Sequence, residues 1–148
     1  MNVRKIAVPV LAVALLAPGG MVAAAKTSPS VMVRHTKLGR ILVDAHGRTL
    51  YLFEKDKRGK SACAGACAAN WPPLMATGKP TAARGASAGK LGTTHRKSGL
   101  QVTYAGHPLY RFSGDSRPGQ TNGEGLKAFG AEWYVLSPAG KKVEKAGS

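Results

Sequence analysis

The chain has 148 residues, 22 of them Lys or Arg against 7 Asp or Glu, for a formal charge of +15. That length fits one domain with one core. So few acidic residues leave little room for the paired carboxylates of a hydrolase.

Residues 1–25 read as a secretory signal. Arg4 and Lys5 form a positive start, 6–17 an apolar stretch, Pro18-Gly19-Gly20 a break, and Ala23-Ala24-Ala25 the small residues of a cleavage site before Lys26. The apolar run is shorter than the roughly 20 residues that span a bilayer. Cleavage removes Arg4 and Lys5 and leaves a formal +13. No Cys lies near the site, so no lipid-accepting N-terminal Cys is expected, and the mature protein is expected to be soluble, periplasmic or secreted. In a cytoplasmic protein this charge would point to nucleic acid. In an exported one the polyanions to hand are anionic envelope polymers and lipid head groups.

A flexible leader is expected over 26–34, with an edge strand starting at Val31-Met32-Val33. Next come Ile41-Leu42-Val43, a turn at Asp44-Ala45-His46-Gly47, and a second strand from Leu50 to Phe53, the pattern of a β-hairpin. Leu50 and Leu52 alternate with Tyr51 and Phe53, so this strand is expected to be covered on both faces. The run Lys55-Asp56-Lys57-Arg58-Gly59-Lys60 is the one dense basic stretch, either a solvated loop or a polyanion site. Residues 62–70 hold the one helical segment expected in the mature chain. Cys63 and Cys67, four apart in an exported chain, are expected to form a disulfide; the rival reading is a reduced dithiol that handles copper or exchanges electrons.

Residues 76–90 read as a loop leading to a short strand at Leu91-Gly92-Thr93-Thr94. The hairpin signal then returns over 101–104 and 109–112, around a turn at Ala105-Gly106. Tyr110 and Phe112 share one face of this strand, and Leu109 and Arg111 the other. Residues 116–130, rich in Gly, read as a long surface loop. Trp133-Tyr134-Val135-Leu136 is the last strand, closed by Pro138 and Gly140.

Two of these stretches are copies. Gly47-x-x-Leu50-Tyr51-x-Phe53-x-x-Asp56 recurs at identical spacing as Gly106-x-x-Leu109-Tyr110-x-Phe112-x-x-Asp115. Each is followed by Ala-x-Trp-x-x-Leu, ending at Trp71 and Leu74 or at Trp133 and Leu136. The predicted fold is therefore mainly β: two tandem pseudo-symmetric hairpin repeats, 35–76 and 90–140, in one small sandwich- or barrel-like domain over 35–140, with a basic tail over 141–148. Tyr51, Phe53, Asp56, Trp71, Tyr110, Phe112, Asp115 and Trp133 are read as structural. The rings fill the core, each Asp accepts N–H bonds from the loop that follows it, and each Tyr hydroxyl needs a partner. Asp56 and Asp115 facing each other across the pseudo-twofold axis is a further expectation.

This pattern, with Gln101 to Tyr110, Trp133 and the Cys63-x-x-x-Cys67 that leads into Trp71-Pro72-Pro73-Leu74, resembles the bacterial secreted-repeat family of predicted lipoproteins, named for its Tyr-x-(Phe/Trp/Tyr)-x-x-Asp motif. The resemblance implies tandem repeats and an envelope or secreted location, with no activity attached. The absent lipid-accepting Cys departs from a lipoprotein.

His35, His46, His95 and His107 form no HxxxH or HxH pair, and Asp115 with Glu124 does not match a calcium loop. No Gly-x-Ser-x-Gly is present. No catalytic residue, cofactor or metal is expected. The function expected is a non-catalytic envelope module that binds polyanionic material or a protein partner, with thiol or copper redox chemistry at Cys63 and Cys67 as the alternative.

Overall fold

The computed structural model describes residues 29–144, together with residue 14 and residues 18–20. Apart from those four residues, the expected signal segment and its cleavage site lie outside the described residues, as do 26–28 and 145–148.

Each repeat opens on the same hairpin. Strands β1 (Ser30–Thr36) and β2 (Gly39–Asp44) pair antiparallel from Val31↔Asp44 to Thr36↔Gly39. Strands β6 (Leu91–Arg96) and β7 (Gly99–Tyr104) pair the same way, from Leu91↔Tyr104 to Arg96↔Gly99. Both turns span two residues and end on a glycine with positive φ, Gly39 at 93° and Gly99 at 126°. That backbone disfavours side chains, which explains why a Gly opens each copy.

The remaining strands are short: β3 (Tyr51–Phe53), β4 (Met75–Ala76), β5 (Thr81–Ala82), β8 (His107–Pro108), β9 (Lys127–Ala128), β10 (Ala131–Leu136) and β11 (Lys142–Val143). A five-residue helix, α1 (Ala66–Asn70), and a 3-10 turn at Ala88–Lys90 complete the elements of the described residues. They form three small sheets: β2-β1-β5; β4-β7-β6 with β8 on β7; and β11-β10-β3 with β9 on β10.

The pairing crosses between repeats. Strand β10 of the second repeat lies against β3 of the first, in the register Trp133↔Phe53, Tyr134↔Leu52 and Val135↔Tyr51. The equivalent segment of the first repeat lies against the second: Arg111 N–H donates to Pro72 O, Leu74 N–H donates to Leu109 O, and Met75 of β4 pairs with Gln101 of β7. On the axis between them, Tyr51 N–H donates to Tyr110 O at 2.8 Å and Tyr110 N–H to Tyr51 O at 3.0 Å. Each Trp segment thus completes the sheet of the other repeat.

The alternation of β3 feeds two cores. Tyr51 and Phe53 join Ile41, Val43, Trp71, Tyr110, Trp133, Val135 and the two cysteines on one side. Leu50 and Leu52 join Val31, Leu42, Leu74, Val102, Tyr104, Leu109 and Leu136 on the other. Four consecutive residues, 50–53, are all buried, as a strand covered on both faces requires.

Some expectations need correction. The arm expected as a strand over 109–112 is strand only at β8, His107–Pro108, after which Tyr110 makes single bridges to Tyr51 and Pro73. Strand β1 is not an edge, since β5 pairs with it in parallel at Ser30↔Thr81 and Val31↔Ala82. The expected leader is strand from Ser30 onward, because β1 pairs with β2 from Val31 on and with β5 at Ser30. The 116–130 stretch is not all surface: Gly123 and Glu124 are buried, and β9 folds back on β10. Sheet pairing also runs past Gly140, because β11 at the start of the expected tail joins β10 at Val135↔Val143. The pairings through β5, β9 and β11 are two residues long each, too short to show any hydrophobic period.

Candidate functional site

The duplicated residues converge on the pseudo-twofold axis. Trp71 and Trp133 stack there at 3.9 Å with their planes 4° apart. Phe53 stacks on the outer face of Trp133 at 4.0 Å, and Phe112 on that of Trp71 at 4.2 Å. The result is a four-ring column in which each repeat's Phe covers the Trp of the other. Tyr51 meets Trp71 edge-on at 5.4 Å, and Tyr110 meets Trp133 edge-on at 5.1 Å, arrangements the ring quadrupole favours.

The tyrosine hydroxyls close the joint by exchange. Tyr51 donates to Asp115 Oδ2 at 2.6 Å, and Tyr110 donates to Asp56 Oδ2 at 2.8 Å. The other oxygen of each Asp does what the sequence suggests. Asp56 Oδ1 accepts Ala62 N–H at 2.7 Å, and Asp115 Oδ1 accepts Asn122 N–H at 2.9 Å. The carboxylates do not bond each other, and they sit in unequal surroundings. Asp115 is buried, with Arg48 Nη2 donating to its backbone carbonyl and Gly123 N–H donating to the Tyr51 hydroxyl. Asp56 is half-buried, and the Tyr110 hydroxyl also bonds Ser61 Oγ, which Arg96 holds together with Cys63 O and Gln101 Oε1.

These surroundings set the proton affinities. Burial pushes both phenols well above the usual tyrosine value, and the adjacent carboxylates push the same way. Burial raises Asp56 to about 6 against the stabilising Ala62 N–H, the Tyr110 hydroxyl and the Arg96 charge. It raises Asp115 too, opposed by Tyr51, Asn122 and Arg48.

Asp56 also borders an open cleft of about 570 Å³, lined by Leu52, Phe53, Glu54, His107 and Lys142 among others. Burial lowers the pKa of His107, and Glu54 partly offsets it. Each Asp56 oxygen already accepts a hydrogen bond, Oδ2 from the Tyr110 hydroxyl on the core side and Oδ1 from the exposed Ala62 N–H. His35, His46 and His95 are exposed and apart from this cleft. Among the described residues, no three His, Cys, Asp or Glu gather into a metal-holding group.

Cys63 and Cys67 are joined in a disulfide, with their Cα atoms 5.3 Å apart. Only Cys67 lies in α1; Cys63 precedes it in the loop that Asp56 pins. The bridge is buried against the aromatic core, and a loop this short gives about 2 kcal/mol in the chain-entropy account. Bridged sulfurs offer no thiolate to a metal.

Sequence reasoning missed the polar residues that support the joint. Arg96 and Gln101 belong to the second repeat's opening hairpin, and their role depends on a contact with a loop more than 30 residues away. Arg111, read only as sharing a face with Leu109, pairs with Asp44 Oδ2 at 2.7 Å, and Asp44 Oδ1 also caps its own turn through His46 and Arg48 N–H. The fixed Asp44-x-x-Gly47 turn was the one visible signal.

The basic run has its own geometry. Lys57 and Lys60 exchange backbone hydrogen bonds, with Arg58 at φ 53° and Gly59 at φ 73° between them. Positive φ at both central positions makes this a tight two-residue turn of the hairpin kind. Lys57, Arg58 and Lys60 are exposed on it, and the one acid of the run, Asp56, is turned inward to Tyr110.

No helix among the described residues is long and apolar enough to cross a membrane. No curated protein and no solved structure matches the chain significantly. A family described as a secreted repeat of unknown function matches it twice, over residues 32–75 and 92–137, the two halves that exchange their tyrosines, aspartates and tryptophans. The chain therefore belongs to this family of secreted repeats.

Proposed function

We propose that this exported repeat protein is a non-catalytic module of the cell envelope that binds phosphate-bearing polyanionic surfaces through its basic turn. The observation that carries this reading is the fixed turn at 57–60. It holds three exposed cations on a preorganised backbone while the neighbouring carboxylate points into the core. A preorganised cluster loses less conformational freedom on binding than a floppy one. The formal charge, +13 after the expected cleavage, adds a long-range attraction to any anionic surface.

A non-catalytic role is supported by how the titratable groups are used. Both phenols are pushed up, and both motif carboxylates are held by inward hydrogen bonds. These groups tie the halves together and leave no obvious nucleophile beside a base.

Binding to long-chain polyphosphate, followed by a retention or fluorescence titration over a range of salt, tests the reading. The wild-type chain is expected to bind with an affinity that falls steeply with salt. The triple change Lys57→Glu, Arg58→Glu and Lys60→Glu is expected to weaken binding roughly tenfold or more and to flatten the salt dependence. Equal binding by the triple variant removes the basic turn from the account.

A further inference from the structure

The shared motif builds the core, so a feature found in only one repeat is free of that duty. Between the motif Asp and the Trp, the first repeat carries the disulfide and α1, and the second carries the β9–β10 hairpin. This hairpin holds Leu126 and Phe129, the large hydrophobic residues that stand exposed among the described residues, each at 41%. Neither packs in either core cluster.

Phe129 sits in a costly backbone position. Ala128 and Ala131 pair across a two-residue turn made of Phe129 at φ 57° and Gly130 at φ 92°. The left-handed region suits Gly or Asn, and a ring left 41% exposed recovers only part of that cost by burial. A sequence under pressure for stability alone has no use for Phe at this tip.

Cations flank the two apolar side chains. Lys127 lies between them in sequence and is exposed, and the Lys55 ammonium reaches Gly130. Glu132, opposite Lys127 on the ladder, is half-buried and offsets one of these charges. Lys55 is placed by the register: β3 runs beside β10, and Glu54 N–H donates to Glu132 O where the two chains leave the sheet. The basic run 55–60 therefore leaves from the end of the sheet that carries the hairpin tip.

We infer that the β9–β10 tip inserts Phe129 into an anionic lipid bilayer, with Lys127 and Lys55 at the head groups and Leu126, at the foot of the hairpin opposite Trp133, facing the same interface. This rests on the phosphate-binding reading above and names the surface as a membrane rather than a polymer. Exposed apolar side chains ringed by cations match an interface with hydrocarbon beneath phosphate, and a soluble polyanion has no apolar phase to receive them. Both cysteines are bridged, so neither offers a thiol for acylation, and the tip supplies the apolar contact instead.

The test uses Phe129→Trp in the full chain, mixed with vesicles of phosphatidylcholine alone or with phosphatidylglycerol added. Trp71 and Trp133 are buried at 1% and 0% exposure, so the wild-type chain provides an unchanging background. Insertion predicts a blue shift of the new indole and its quenching by lipids brominated in the acyl chain, on anionic vesicles only. Phe129→Gly should bind those vesicles roughly tenfold more weakly while keeping its fold and its polyphosphate affinity.

Vesicle binding with the new indole still in water overturns insertion and leaves the charge-based reading standing. Polyphosphate binding without vesicle binding does the same. A shift produced by envelope protein rather than by lipid overturns it in favour of a protein partner. Failure to bind either vesicles or polyphosphate sinks the underlying reading as well.

Discussion

The Tyr51 hydroxyl of the first repeat donates to the Asp115 carboxylate of the second at 2.6 Å, 64 residues away in the chain. Its mirror bond, Tyr110 to Asp56, runs the other way at 2.8 Å. The two bonds flank the pair of backbone hydrogen bonds that joins Tyr51 to Tyr110. The motif therefore does not describe a self-contained unit. Its Tyr and its Asp serve different partners, and each is satisfied only when both repeats are present.

Unequal burial of the two joints predicts unequal costs. Tyr51→Phe removes the donor to a buried carboxylate and the acceptor of Gly123 N–H, and Asp115→Ala strands that hydroxyl together with Asn122 N–H. Each is expected to lower stability by about 1–3 kcal/mol, the usual cost of leaving buried polar groups unpaired. Tyr110→Phe is expected to be milder, because Asp56 is half-buried and keeps the Ala62 N–H. Urea midpoints at unchanged m-value measure all three. An order in which Tyr110→Phe costs more than Tyr51→Phe contradicts the burial argument.

Exchange of the Trp segments predicts that neither repeat folds alone. A chain ending at Gly78 has Trp71 and Leu74 but no strand for them to join, and it leaves β3 without β10. A chain starting at Lys79 has the converse defect. Residues 77–79 are exposed between β4 and β5, so a cut there breaks no strand. Each fragment is expected to show unfolded circular dichroism, and an equimolar mixture to recover β signal and the Trp stack. An independently folded fragment refutes the exchange.

Most of the architecture was visible in the sequence because it rests on strong local signals. The alternation of 50–53, the turn at Ala105-Gly106, the bridge between Cys63 and Cys67 and the duplication all appear in the structure as strand, turn, disulfide and repeat. The partners were not visible. Identical copies make Tyr51–Asp56 and Tyr51–Asp115 equal candidates, since pairing within or between repeats leaves the same sequence. The Trp71–Trp133 stack was hidden for the same reason. Arg96 and Gln101 were missed because a polar side chain carries no periodicity that reveals a distant loop. Phe129 and Leu126 looked like ordinary loop residues until the hairpin placed the first at its exposed tip and the second, also exposed, at its foot.

The raised pKa of Asp56 fixes the sign of a pH effect. Its value rises from 3.8 unperturbed to about 6 when folded, so between these values the native state binds the proton more tightly than the unfolded chain. The contribution is present below about 4 and is lost as pH rises through about 6. The raised value of Asp115 adds in the same direction. Melting temperature is therefore expected to increase as pH falls from 7 to about 4.5, opposite to ordinary acid destabilisation. Asp56→Asn, which cannot titrate, should flatten this rise. A melting temperature that falls over the same range, equally in both proteins, removes Asp56 from the account.

The second repeat meets the same packing problem as the first without a disulfide, and Gly123 shows how. It follows the Asn122 N–H that pins Asp115, as Cys63 follows the Ala62 N–H that pins Asp56. A Cβ on Gly123 would stand 2.8 Å from two atoms of the Trp71 ring and 2.9 Å from the Tyr51 ring. Neither ring has room to yield: Trp71 is held between Trp133 and Phe112, and Tyr51 by its bond to Asp115. Gly123→Ala is therefore expected to cost about 1–3 kcal/mol through overpacking, although nothing polar is lost. Gly125→Ala, two residues on with open space around it but a φ of 68°, should cost only the backbone strain, about 1 kcal/mol. Thermal and urea unfolding of the two variants side by side separates crowding from strain. Equal losses at the two positions mean that Gly123 is not fixed by the Trp71 and Tyr51 rings.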